Sequence, residues 1–161
     1  MKKKLFQILL LAFVVVGLTA CGSKKEKMHT SGKAEDLLSY MVEAYNKREP
    51  QYLLDIMPDF MQEKLKESMP TKEEWAKSLE DHYGSDLKVT YKLTNRKKED
   101  QDWIDENNKT LKEFYKTDKQ LSECYLLEGS VTIKGSKAED TDEFEEFWHC
   151  KIDNKWYLIG G

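Results

Sequence analysis

Arginine is nearly missing from this chain. Only Arg48 and Arg96 occur among 26 basic residues in 161. Planar guanidinium forks, which grip phosphate or carboxylate through two parallel hydrogen bonds, are therefore scarce. Proline and glycine are few, at three and eight, which excludes collagen-like and Pro/Gly-rich disordered classes. His82 and His149 stand outside any H-x-x-x-H or E-x-x-H pattern, so no metal ligands are assigned. No G-x-S-x-G, no phosphate-binding Gly-rich loop and no nucleophile–base pair is found. No catalytic residue and no cofactor is assigned on that ground.

The first twenty residues differ from the rest. Lys2, Lys3 and Lys4 precede an apolar run from Leu5 to Leu18, interrupted only by Gln7 and Gly17. Positive charge, apolar run and small residues in that order make a secretory signal. The run has 14 residues, short of the roughly 20 a spanning helix needs. No stop-transfer pattern follows. Leu18-Thr19-Ala20-Cys21 resembles the bacterial lipobox, in which the cysteine thiol takes a diacylglyceryl group and becomes the new N-terminus. The expectation is a signal peptide over 1–20 and a lipid on Cys21. Two acyl chains anchor stably where one is marginal. The segment after it, 22–33, is polar and rich in Gly, Ser and Lys, and reads with Cys21 as a flexible tether. These features predict attachment to the outer face of a bacterial cell membrane.

A domain of about 128 residues remains, 34–161, enough for one core. Setting aside three basic residues in the signal and four in the tether leaves 19. Of the 30 acids only Glu26 precedes residue 34, which leaves 29 and a domain net charge of −10. Such a domain is repelled by nucleic acid and by anionic polymers, so no nucleic-acid partner is expected. The lysine bias points to an AT-rich genome and a Gram-positive host.

Leu37, Leu38, Met41, Val42 and Tyr45 share one face of a helix over 34–47. Pro50 opens a short second helix, Pro58 breaks it, and a third segment around Phe60–Leu65 stops at Pro70. Thr71 with Glu74 makes a capping box for a helix that carries Trp75, Leu79 and Tyr83 and ends at Gly84. The period then becomes two: Leu87, Val89, Tyr91 and Leu93 alternate with polar residues as a half-buried strand. Residues 98–116 return to helix. Strands follow over 121–134, 144–152 and 156–159, the last two joined by Asp153-Asn154 as a two-residue hairpin turn. Helices first and antiparallel strands after predict an α+β domain, with the helices covering one face of a curved sheet of about four strands.

The first helix "AEDLLSYMVEAYNKREPQYLLDIM", the strand "DLKVTYKL" and the ending "SVTIKG…EEFWHCKIDNKWYLI" carry a family resemblance. Together with the lipobox, the chain resembles small Gram-positive lipoproteins with a nuclear-transport-factor-two-like cone fold. Asn154 stands where that hairpin usually has glycine. The resemblance implies a concave cavity between helices and sheet. It implies no activity, because one fold hosts many functions.

Cys124 and Cys150 fall on neighbouring strands. A register in which paired numbers sum to 274 sets them opposite but brings Glu143 and Glu145 to the buried face. A sum of 275 pairs Leu127 with Trp148 and Val131 with Phe144, and separates the cysteines. A β-bulge reconciles the two; a disulfide and two buried thiols both stay open. Glu139 to Glu146 is expected as an acidic, solvated hairpin tip. Tyr83, Tyr91, Trp103, Tyr125 and Trp148 are candidates to line a pocket for a small apolar or peptide ligand, against a plain core role. The leading expectation is a non-enzymatic binding or protein-interaction module in the envelope. Its alternatives are a small cone-fold enzyme of isomerase or dehydratase type and a structural protein that homodimerises through its sheet.

Overall fold

The computed structural model describes residues 22–160. The signal segment 1–20 and Cys21 lie outside the described residues. Among those described, no helix is long and apolar enough to cross a membrane.

Five helices come first: α1 (Gly22–Thr30), α2 (Ala34–Lys47), α3 (Gln51–Asp55), α4 (Asp59–Lys66) and α5 (Lys72–Tyr83). Strand β1 (Lys88–Lys98), helix α6 (Gln101–Tyr115), and strands β2 (Leu121–Lys134), β3 (Glu139–Ile152) and β4 (Lys155–Gly160) follow. The fold is α+β, and the strands form an antiparallel sheet in chain order, β1-β2-β3-β4.

Local chemistry sets the boundaries. Helix α2 occupies the span its apolar period predicts, and Arg48 closes it in the left-handed region at φ 55°. The Thr71–Glu74 capping box forms with both reciprocal bonds, satisfying N–H groups that the first turn leaves free. Gly84 ends α5 at φ 97°, where a Cβ would be strained. Asp153 and Asn154 both take positive φ, 49° and 64°, the backbone a tight two-residue hairpin demands.

Helices α2, α3 and α5 pack on one sheet face. Leu37, Leu38, Leu54, Ile56, Tyr83, Val89, Leu127, Phe144 and Leu158 are buried there in the main core. Side chains also tie the layers by the backbone. Asn46 on α2 accepts from the Val89 N–H at 2.8 Å and donates to the Val89 carbonyl at 3.1 Å. The Leu158 N–H donates to the Ile56 carbonyl at 2.9 Å. Both contacts occupy ladder groups that edge strands β1 and β4 would otherwise leave open.

Four expectations change. The segment read as a flexible tether contains α1, which buries Met28 and His29; tertiary contacts outweigh its polar composition. Helix α6 lies on the opposite sheet face from α2, so helices cover both faces. Ile104 and Leu111 of α6 pack with Leu121, Cys124, Cys150 and Ile152 in a second cluster. That reverse face is apolar at its β2–β3 end and needs cover. The acidic run from Glu139 belongs to β3 itself. There Lys134 donates to Glu139 at 2.6 Å across the hairpin, so the turn is the shorter stretch before it.

The β2–β3 register is the fourth change. Cys124 faces Cys150 and Leu127 faces Phe147, whereas Gly129 faces Phe144 and Val131 faces Asp142. The numbers sum to 274 at the cysteine end and to 273 beyond a bulge between Leu127 and Gly129. The pairings Leu127–Trp148 and Val131–Phe144 are not formed. The extra β3 residue returns Phe144 to the core, 2 % exposed, without moving the cysteines. Gly129 sits at this bulge. A Cβ there would collide with the Lys92 carbonyl and the Phe144 ring, so the close approach of β1 to β2 needs glycine.

Candidate functional site

Two places gather polar chemistry. The first lies under α1. Its sequence, GSKKEKMHT, has little helix amphipathicity, so packing must hold it. Met28 and His29 insert against β4, and His29 Nδ1–H donates to the Trp156 carbonyl at 2.6 Å. Burial is the larger influence and holds the His29 imidazole below its ordinary pKa; hydrogen bonds to the Trp156 and Asp55 backbone act in the opposite direction. Lys25 reaches the buried carboxylate of Asp55 at 2.6 Å. Asp55 also accepts from the Tyr40 hydroxyl and the Gln51 amide, each at 3.3 Å. Burial and the Asp55 charge push the Tyr40 hydroxyl well up. Lys24 pairs with Glu43. A cleft of about 250 Å³ opens beside these contacts, lined by Lys25, His29, Asp55, Asp59, Lys155 and Tyr157 among others. Its lining carries both charges and suits a small polar or zwitterionic group better than an apolar ligand.

The second place is on the inner sheet face, where the end of β1 pairs with the start of β2. Register stacks Lys98, Tyr125, His149 and Leu158 in one row across four strands, with Glu123, Lys151 and Trp156 in the next. His149 is fully buried and stacks on Trp156, centroids 4.3 Å apart. Its Nδ1 accepts from the Arg96 guanidinium at 3.2 Å, which places the imidazole proton on Nε2. That Nε2–H has no partner among the described residues. Burial and then the Arg96 charge lower the His149 pKa to about 3. The Arg96 guanidinium lies 3.7 Å above the Tyr125 ring, a cation–π arrangement. Tyr125 donates to Glu123 at 2.5 Å, which raises the phenol and lowers the carboxyl.

The five aromatic candidates do not converge. Tyr83 is buried in the main core. Tyr91 packs at its margin, and its hydroxyl donates to the Glu35 carbonyl at 3.2 Å. Tyr125 supports Arg96. Trp103 and Trp148 stack at 5.4 Å on the reverse face, where the Trp148 indole donates to Glu99 at 2.9 Å. The sheet separates the two groups, because alternate residues along a strand face opposite ways. Their contacts are those of two separate clusters, with Tyr125 under Arg96. His82 is exposed and lies 3.6 Å from Asp140.

Cys124 and Cys150 stand directly opposite each other, Cα atoms 4.1 Å apart, and are joined as a disulfide. Both are fully buried. Sequence reasoning missed Asp55, His29 and Arg96. Arg96 carried one usable signal: continuing β1 past Leu93 with a single bulge puts it on the same face as Tyr125.

The chain matches no family model, no curated protein and no solved structure.

Proposed function

We propose that this chain is a lipid-anchored module on the outer face of a bacterial cell membrane, acting by binding or protein interaction rather than catalysis. The observation that carries this is the Leu18-Thr19-Ala20-Cys21 motif, in register behind three lysines and a 14-residue apolar run. The buried Cys124–Cys150 bond supports it, because such bonds persist in oxidising compartments. Helices α2 to α5 ahead of a four-strand antiparallel sheet are consistent with a cone-like member of the nuclear-transport-factor-two-like class.

Docking of α1 sharpens the mechanics. A lipid on Cys21 would be followed at once by α1, itself fastened to β4 and Asp55. The domain would ride close to the bilayer with a fixed side toward it, rather than drift on a long leash. Its acidic surface gives no attraction to anionic lipid, so the acyl chains supply retention. A catalytic reading finds less support: the buried carboxylate Asp55 is engaged by three donors, and His149 Nδ1 by Arg96. A dimer through the reverse sheet face would have to form beside α6, which covers the β2–β3 end of that face.

The test is metabolic labelling with a fatty acid in a bacterial host. Wild type should take label and sediment with membranes; Cys21→Ala should lose the label and leave the membrane or stay unprocessed. Label retained by Cys21→Ala would end this reading.

A further inference from the structure

Arg96 is one of two arginines in a lysine-rich chain, and it is exposed. Among the described residues its guanidinium makes one hydrogen bond, to His149 Nδ1, and no ion pair within 4.0 Å. It is nonetheless held in place. The Tyr125 ring supports its plane at 3.7 Å and the Trp156 ring lies 5.9 Å away. Two neighbouring cations share this inner face. Lys98 sits in the Tyr125 row, and Lys151 lies 5.7 Å from the centre of the Trp156 ring. The nearby carboxylate, Glu123, is engaged by Tyr125 and by Lys98 at 3.7 Å. An acidic domain thus carries a local excess of positive charge around a guanidinium whose remaining N–H groups are free among the described residues.

We propose that this end of the inner sheet face binds a carboxylate, gripped two-handed by Arg96 and flanked by Lys98 and Lys151. This names a ligand class for the binding module and so rests on that reading. A fixed, planar guanidinium matches a planar carboxylate, and preorganisation lowers the ordering cost of binding. A phosphate fits less well. Phosphate sites draw on loop or helix-terminal N–H groups, and here the strand N–H groups are taken by the ladder. His149 supports the same assignment. A fully buried imidazole with an orphaned N–H costs about 1–3 kcal/mol, and a phenylalanine would fill the same place without that cost. What the imidazole alone supplies is the acceptor that fixes Arg96.

The test is an NMR titration of the full chain in detergent micelles, following the Arg96 side-chain N–H and Trp156 indole N–H signals. The probes are succinate, a short peptide with a free C-terminus, its C-terminally amidated form, and inorganic phosphate. Succinate and the free-acid peptide should shift both signals. A preference for succinate over the peptide indicates a small acid as the natural source, and the reverse indicates a chain terminus. Arg96→Lys should weaken binding by about tenfold, since the bidentate geometry is lost. Arg96→Gln should abolish it, and Arg48→Gln, whose guanidinium serves the Ser85 carbonyl, should leave it unchanged. Phosphate binding as tightly as succinate, shifts that survive Arg96→Gln, or no shift with either carboxylate would each overturn the proposal. Those failures leave the anchored-module reading standing if Cys21 is lipidated; loss of lipidation would remove that reading without touching the Arg96 titration.

Discussion

Acid should weaken this fold before its carboxylates begin to titrate, and His149 is the main reason. In the folded chain its pKa falls to about 3, against the ordinary histidine value of about 6.5 when unfolded. The unfolded chain therefore takes up the proton first. Stability is full above pH 6.5 and is lost as pH falls from there toward 3. At pH 5 one such histidine favours unfolding by about 2 kcal/mol. His29, lowered by burial, acts in the same direction. Glu123, Glu43, Glu74 and Asp86 are lowered by their hydrogen bonds. Their losses come below about pH 4.5, outside this window. Asp142, raised by burial and Asp140, opposes them in the same acidic range. The assay is urea unfolding at pH 7 and pH 5 for wild type and for His149→Phe, which keeps an aromatic ring at the position and removes the titration. Wild type should lose about 2 kcal/mol more than the variant between the two pH values. Equal losses in the two proteins would refute the assignment of a buried neutral His149.

The Cys124–Cys150 bond spans a sequence separation of 26, for which loop-closure entropy gives about 3.5 kcal/mol. The Cys124→Ala/Cys150→Ala double variant should lose roughly that amount in urea unfolding, and a loss within error of zero would count against a structural bond. Helix α1 should show hydrogen-exchange protection at the amides near Met28 and His29, reduced in Asp55→Ala, which removes the acceptor of Lys25. Free exchange of α1 in the wild type would restore the flexible-tether reading.

Much of the architecture could be read from periodicity. The span of α2, the capping box at Thr71, the β2 strand and the Asp153-Asn154 turn all rest on local chemistry, and local chemistry is written in short stretches. What stayed hidden depends on pairing. Helix α1 has no amphipathic stripe, and it is held by distant partners: Met28 and His29 against β4, Lys25 on Asp55 and Lys24 on Glu43. Strand β3 begins among acids with no apolar alternation, because Lys134, Thr132 and the rest of β2 across the ladder hold it. The bulge before Gly129 decides which face Phe144 joins, and no count along one strand discloses it. The five aromatics were recognisable as a set, but Tyr125 and Trp148 fall on opposite sheet faces and Trp103 of α6 stacks on Trp148. Arg96 emerged for the same reason: its partners lie 29 and 53 positions further along the chain, Tyr125 and His149.

The intact mass of the membrane-extracted protein reads out the lipid anchor itself. The expected result is a chain that begins at Cys21 and carries a diacylglyceryl group, with Cys124 and Cys150 still bonded. A chain that retains residues 1–20, or one cleaved elsewhere and free of lipid, would contradict it.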